Sequence, residues 1–186
     1  MGKVLERIDG ETAQWLEAQP VFFVATAPLS GDGHLNCSPK GGDCLRVLGP
    51  MEVAYLDYTG SGAETAAHLC ENGRIVLMFC AFAGRPNIVR LHGTGEVVTP
   101  GHSDWADLAA RFPPNPGARA VVRVRVSRVS TSCGFSVPLM SYEADRDVLD
   151  RWAAAKGEDG LRDYRAEKNA RSIDGLPALP ASDPTG

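Results

Sequence analysis

The chain has few cysteines, no long apolar run and no surplus of basic charge, and each shortage removes a class of protein. Its five cysteines, Cys37, Cys44, Cys70, Cys80 and Cys133, include no Cys-x-x-Cys pair. An odd, scattered set of this kind fits free thiols in a reducing compartment better than a disulfide framework. A zinc site needs four ligands at close quarters, and Cys37 and Cys44 with His34 supply three at loose spacing. Buried, unreactive thiols and no metal site are therefore expected. No apolar stretch approaches the roughly 20 residues of a membrane-spanning helix, and the start, MGKVLERIDGETAQW, lacks the apolar core of a signal peptide. A cytoplasmic protein away from membranes is the expectation. A net charge of −4 offers no surplus of basic residues for nucleic acid. No G-x-G-x-x-G follows a strand pattern and no Walker lysine motif occurs, which removes the common nucleotide folds.

What remains is an ordinary globular composition, 44% hydrophobic and 23% charged over 186 residues, the size of one domain. Residues 10–19 read as a short helix capped by Asp9, with Trp15 and Leu16 inward and Pro20 as its stop. VFFVATA (21–27) reads as a strand, SGDG (30–33) as a hairpin turn, and His34 to Ser38 as the returning strand. MEVAYLDY (51–58) is a third strand with Val53 and Tyr55 on one face. Ser61 followed by Glu64 matches a capping box, and Gly73 sits where a C-cap glycine belongs. This predicts a helix from about Gly62 to Asn72, with Ala66, Leu69 and Cys70 toward the core. RIVLMFC (74–80) and RPNIVRLHGTGEVV (85–98) are further strands, the second bent at Gly93 or Gly95. Residues 101–112 have helical spacing through Trp105, Leu108 and Phe112. RAVVRVRVSRVS (119–130) alternates, with Val122, Val124 and Val126 inward and Arg123 and Arg125 solvated. A helical region over about 145–170 carries Val148, Leu149, Trp152, Leu161 and Tyr164. The tail from Leu176 is expected to be poorly ordered. Short turns between many strands predict a mainly β protein, an antiparallel barrel with flanking helices. Residues 1–140 form the barrel, and 141–186 a helical arm and tail of the same domain.

Two segments offer backbone N–H groups with little obstruction: Ser38-Pro39-Lys40-Gly41-Gly42, and Thr59 to Thr65 at a helix start. A helix N-terminus stabilises an anion, and Lys40 adds a mobile positive charge. The capping box explains Ser61 and Glu64 without any ligand, so both readings stand. Nucleophilic catalysis has less support. There is no G-x-S-x-G elbow, and His34, His68, His92 and His102 have no identifiable acid partner. Along the strand of HLNCSPKGG (34–42), Asn36, Ser38 and Lys40 share one face, and the intervening Cys37 is expected to be buried on the other.

The succession VFFVATAPLSGDGHLNCSPKGG, VAYLDYTGSGAETAAHLCENGRIVLMF and RPNIVRLHGTGEV resembles the pyridoxamine 5′-phosphate oxidase-like family of FMN-binding split β-barrels. The likeness runs over about residues 15 to 100. The later stretch from SCGFSVP to KNARSIDGLP is similar to the C-terminal part of a bacterial oxidase-related subgroup. The resemblance implies a homodimer with FMN in a groove at the subunit interface. It places Asn36, Ser38, Pro39 and Lys40 along the flavin and its phosphate. Tyr58, Thr59, Gly60, Ser61 and Thr65 would contact the phosphate or ribityl chain, and Arg85, Asn87 and Arg90 would approach the ring. The activity implied is FMN-dependent oxidation or reduction of a small molecule by hydride transfer through flavin N5. The same fold also hosts F420-dependent reductases. A non-catalytic flavin- or haem-binding protein is the alternative from another class, with His34 or His92 as the axial ligand haem would need. The basic residues with which vitamin B6 oxidases grip phosphate and substrate are absent, so vitamin B6 oxidation is not expected. SCGFSVP and KNARSIDGLP either close the pocket, from this chain or its partner, or form a turn and an interface arm.

Overall fold

The computed structural model describes residues 2–179. Eight strands form one antiparallel sheet in the order β3-β2-β6-β7-β8-β5-β4, with β1 added alongside β8. The strands are β1 (Lys3–Leu5), β2 (Val21–Thr26), β3 (Asn36–Gly41), β4 (Leu45–Gly49), β5 (Glu52–Tyr58), β6 (Arg74–Cys80), β7 (Ile88–Val98) and β8 (Ala118–Ser132). The helices are α1 (Gly10–Glu17), α2 (Glu64–Asn72), α3 (Trp105–Ala109) and α4 (Val148–Lys168). The sheet curls into a half-barrel, the predicted mainly β architecture. No described helix is long and apolar enough to cross a membrane.

Period-two patterning fills the inside of the curl. Phe22 and Val24 of β2, Leu77 and Phe79 of β6, and Val53 and Tyr55 of β5 are all buried, as are Val122, Val124 and Val126 of β8. Phe22 stacks on Phe79 with ring centres 5.0 Å apart and meets Tyr55 edge-on at 5.8 Å. On the other face of the same strands, Phe23, Ala25, Val76 and Met78 are half-buried. The bend near Gly93 has a steric origin. Ser127 is an extra residue of β8 opposite His92 and Gly93, and a Cβ on Gly93 would strike the Arg125 carbonyl.

Several boundaries differ from those predicted. β3 begins at Asn36, because His34 is held outside the sheet by Asp174. β7 begins at Ile88, so Arg85 and Asn87 precede the strand. The third helix is shorter than 101–112, with a turn from Thr99 to His102 in front of it. Helix α2 starts at Glu64, with Ala63 at the N-cap position and no side-chain cap, so the capping box does not form. Glu64 instead accepts the N–H of Ile173 at 3.3 Å, and Ser61 points to solvent. Gly73 does close the helix, with φ 71° and its N–H on the carbonyls of His68 and Leu69.

The cysteines divide against expectation. Cys44 and Cys80 are buried, whereas Cys37, Cys70 and Cys133 are exposed. Contrary to the expected burial of Cys37, the polar row of β3 faces inward and the thiol outward. Cys70 turns from the core toward the C-terminal segment, 3.4 Å from the Ala178 carbonyl. That segment is ordered as far as it is described. Ala178 N–H bonds the Ala170 carbonyl, and its side chain packs on Ala63, Ala66 and Ala67. The rest of the tail, 180–186, lies outside the described residues. The C-terminal helix bends at Gly157, where φ is 67°.

Candidate functional site

The inward row of β3 and the loop from β5 to α2 meet at one end of the half-barrel. Between them lies a cavity of about 170 Å³ lined by Ser38, Lys40, Tyr58, Gly60, Gly62, Glu64, Thr65 and Arg119. At its base is a buried ion triad. Lys40 Nζ lies 2.7 Å from Asp57 Oδ1, and Arg119 Nε lies 2.7 Å from Asp57 Oδ2. Arg119 also donates from Nη1 to the Gly62 carbonyl at 2.9 Å, tying the loop to β8. Lys40 Nζ sits 5.6 Å from the Tyr55 ring centre, and the buried Tyr55 hydroxyl has no partner among the described residues.

Burial raises the cost of ionising Asp57, but the charges of Lys40 and Arg119 outweigh it and hold the carboxyl below its ordinary pKa. Within the triad one carboxylate is thus shared by two cations, a surplus positive charge that faces the Glu64 carboxylate in the cavity lining. A third cation stands behind the loop. Arg165 of α4 donates to Thr59 Oγ1 at 2.8 Å and to the Ala118 carbonyl at 3.0 Å. Burial and the repulsion of Arg119 pull its pKa below the ordinary arginine value. Asn169 completes the loop's support by donating to the Gly60 carbonyl at 2.9 Å.

The inner row continues as a hydrogen-bonded wall. Ser38 Oγ donates to Asn36 Oδ1 at 2.8 Å, and Asn36 Nδ2 donates to Thr65 Oγ1 at 2.9 Å. Glu64 folds its carboxylate back over Gly62, where a Cβ would collide with it.

Of the residues predicted for the site, Ser38, Lys40, Tyr58, Gly60 and Thr65 line this cavity, and Asn36 and Thr59 support it from behind. Five others are not brought to it. Pro39 has the opposite parity to Lys40 and is exposed; Ser61 is exposed because the cap it was assigned to does not form. Arg85 lies in an exposed turn, and the Asn87 carbonyl is used by Ala81 N–H at 2.9 Å. Arg90 is on the outer face of β7, donating to Ser132 Oγ at 3.0 Å. The haem-ligand candidates, His34 and His92, do not line the cavity either. His34 does have an acid partner, contrary to expectation: Nδ1 lies 2.6 Å from Asp174 Oδ1, 140 positions along the chain.

Sequence reasoning missed Arg119, Arg165 and Asn169. Strand parity places Arg119 outward with Arg123. A bulge reverses this, since Asp57 pairs with Ala120 and Tyr58 with Ala118, leaving Arg119 as the extra residue. Arg165 and Asn169 lie more than 100 positions from the loop they hold, and only Asn169 falls within the segment KNARSIDGLP (168–177). That segment packs on this chain itself: Asn169 holds the Gly60 carbonyl, Ile173 N–H meets Glu64 at the start of α2, and Asp174 accepts His34 N–H. SCGFSVP does not reach the cavity.

Comparison with known proteins matches this architecture. A family model described as pyridoxamine 5′-phosphate oxidase matches residues 8–133. A curated protein of Aspergillus flavus, the pyridoxamine 5′-phosphate oxidase family protein ustO, is 38% identical across 94% of this chain and 76% of its own length. Among solved structures, a variant of HupZ from Group A Streptococcus aligns with a TM-score of 0.52 at 23% identity, over 67% of this chain and 99% of that one. A protein of Lactobacillus delbrueckii aligns with a TM-score of 0.52 at 22% identity, over 68% of this chain and 98% of that one. At such identities the structural likenesses establish the fold alone.

Proposed function

The chain belongs to the pyridoxamine 5′-phosphate oxidase family, and from that premise we propose that it is a homodimeric FMN-dependent oxidoreductase acting on a small molecule. The observation that carries the proposal is the cation set at the cavity, where Lys40 and Arg119 share the carboxylate of Asp57 and, with Arg165 behind the loop, three cations stand against the two carboxylates of Asp57 and Glu64. A dianionic phosphate supplies the missing negative charge. The first-turn N–H groups of α2 and the Thr65 hydroxyl add donors from the same wall. Gly60 leaves the backbone open to approach, with nothing within 4 Å of where a Cβ would stand. Glu64 opposes an anion, but its carboxylate is folded over Gly62 and engaged by Ile173 N–H.

Size supports a shared site. The cavity of about 170 Å³ is below the roughly 300–1,000 Å³ that encloses a whole drug-sized ligand. It suits the phosphate end, and the ring requires a groove that a second copy completes. The half-buried outer row of Phe23, Ala25, Val76 and Met78 gives that copy an apolar face to pack on. When bound, FMN supplies a two-electron centre that exchanges hydride at N5. The chain's own residues bind and orient: Lys40 and Arg119 anchor charge, while Ser38 and Thr65 offer hydroxyls of fixed direction.

The test is the absorption spectrum of freshly purified protein, followed by FMN titration and sedimentation. Flavin bands, saturable binding and a dimer are expected. A colourless protein that ignores added FMN sinks the proposal, and a Soret band replaces it with a haem protein.

A further inference from the structure

Behind the cavity wall, the row of polar side chains ends on a histidine that the proposed function does not use. Asn36 Nδ2 donates not only to Thr65 but also to Thr26 Oγ1 at 3.2 Å, and Thr26 Oγ1 lies 2.9 Å from His68 Nδ1. Ser38 and Thr65 face the cavity; Thr26 and His68 are buried, His68 with 0% of its surface exposed.

Counting donors leaves two self-consistent arrangements of the row, each tied to one tautomer of His68. A hydroxyl carries one proton, and an amide donates only from nitrogen. Both Asn36 Nδ2 protons go to the two threonines, and the buried Thr26 hydroxyl has no other side-chain partner among the described residues for its proton, so it donates to His68 Nδ1. The imidazole is then protonated on Nε2. Ser38 uses its proton on Asn36 Oδ1 and turns lone pairs to the cavity. Thr65, which accepts from Asn36, keeps its own proton for the cavity. The other tautomer reverses each link: Nδ1–H donates to Thr26, the amide turns over, Thr65 donates to Asn36, and the Ser38 proton is freed. Either way the wall presents one donor and one acceptor.

We propose that His68 is a positioning residue that sets this polarity: protonated on Nε2 alone, it makes Thr65 the donor and Ser38 the acceptor. The proposal rests on reading the cavity as a phosphate site. Phosphate oxygens only accept, so the donor belongs on Thr65, beside the first-turn N–H groups of α2. The ribityl hydroxyls of FMN can donate, and Ser38 lone pairs suit them. Burial keeps the imidazole neutral by pulling its pKa below the ordinary value, against the opposing charges of Asp174, Glu71 and Glu64. Nε2 has no partner among the described residues, so His68 is coupled to the wall through Nδ1 alone.

Nitrogen-15 NMR of histidine-labelled protein, with and without FMN, reads the tautomer directly. A pyridine-type Nδ1 and a pyrrole-type Nε2 are expected for His68 in the bound protein. The reverse assignment overturns the inference. Thr26→Val is nearly isosteric but cuts the link, and should weaken binding of FMN and of inorganic phosphate about tenfold, with Thr26→Ser restoring it. A Val variant that binds like the native protein, or a Ser variant no better than Val, also overturns it. If native protein binds neither FMN nor inorganic phosphate, the flavin reading fails. The spectrum of the free protein then decides the tautomer by itself, and a protonated Nδ1 overturns the inference.

Discussion

Arg119 reaches Asp57, Nε to Oδ2 at 2.7 Å, only because β8 bulges at that residue. The bulge converts an outward arginine into the inner half of a triad with Lys40 and ties the Gly62 carbonyl to the sheet. Truncating one member of such a group leaves its partner's charge buried and unpaired. Arg119→Met should therefore cost about 3–5 kcal/mol of stability, read as a lowered urea midpoint at pH 7. Arg119→Lys restores charge without the fork that spans Asp57 and Gly62, and should fall between. By the same logic Lys40→Ala loses stability as well as FMN affinity, a larger structural cost than a solvated lysine would carry. A stability loss under about 1 kcal/mol for Arg119→Met, the scale of a surface pair, would show that the triad is solvated rather than buried.

The same triad makes a prediction about acid. The depressed pKa of Asp57 means that its ionised form stabilises the folded protein above the unfolded carboxyl value, about 3.9. That contribution is lost as pH falls through the lower folded value. Asp57→Asn cannot titrate, so it should be less stable at neutral pH and show a flatter dependence between pH 5 and the acid limb. It also leaves two cations without a carboxylate, so inorganic phosphate should raise its melting temperature more than that of the native protein. Urea and thermal midpoints across pH 3–7 test both. Parallel pH profiles in the two proteins would remove Asp57 from the acid response.

The strands and most of the cavity wall were legible because they obey local rules. Period-two alternation put Val122, Val124 and Val126 inside and Val53 and Tyr55 on one face, and the spacing of Asn36, Ser38 and Lys40 placed them on one face. Which face was not legible, since a strand of mixed small polar residues carries no hydrophobic bias to choose it. Arg119 was hidden by a bulge, which breaks the parity on which the reading depends. Arg165, Asn169 and Asp174 were hidden by distance along the chain: their partners lie 106, 109 and 140 positions away. The false capping box at Ser61 has a related cause. Glu64 found a partner in Ile173, a tertiary contact that overrides the local motif.

The inverted parity of β3 changes what the thiols should do. Burial pushes the Cys44 thiol up to about 12 and raises Cys80 as well, so neither should react with a disulfide reagent until the protein unfolds. Cys133 is exposed and should label promptly. Cys37 is exposed in one chain but lies on the outer face of β3 beside Ala25 and Val76. If a second copy covers this face, Cys37 labels slowly at high protein concentration and faster as dilution separates the copies. Mass spectrometry of timed labelling resolves each cysteine. Prompt labelling of Cys37 in an intact dimer would move the interface away from this face.

Glu64 is the one cavity residue whose charge works against an anion. Its Oε1 accepts Ile173 N–H at 3.3 Å, while its carboxylate covers Gly62. Glu64→Gln keeps the shape and the carbonyl acceptor for Ile173 but removes the negative charge beside Lys40 and Arg119. Phosphate-group binding should tighten by about five- to tenfold, about 1–1.4 kcal/mol. Glu64→Ala also removes the repulsion, but it frees Ile173 and with it the segment that carries Asp174. Its gain should be smaller and accompanied by faster hydrogen exchange over residues 170–178. Titration with FMN and with inorganic phosphate separates the two effects, since charge acts on both ligands and local unfolding is seen without either. Unchanged affinity in Glu64→Gln would mean that the anion binds beyond the reach of this carboxylate, and the phosphate site would have to be sought away from the Gly60–Thr65 loop.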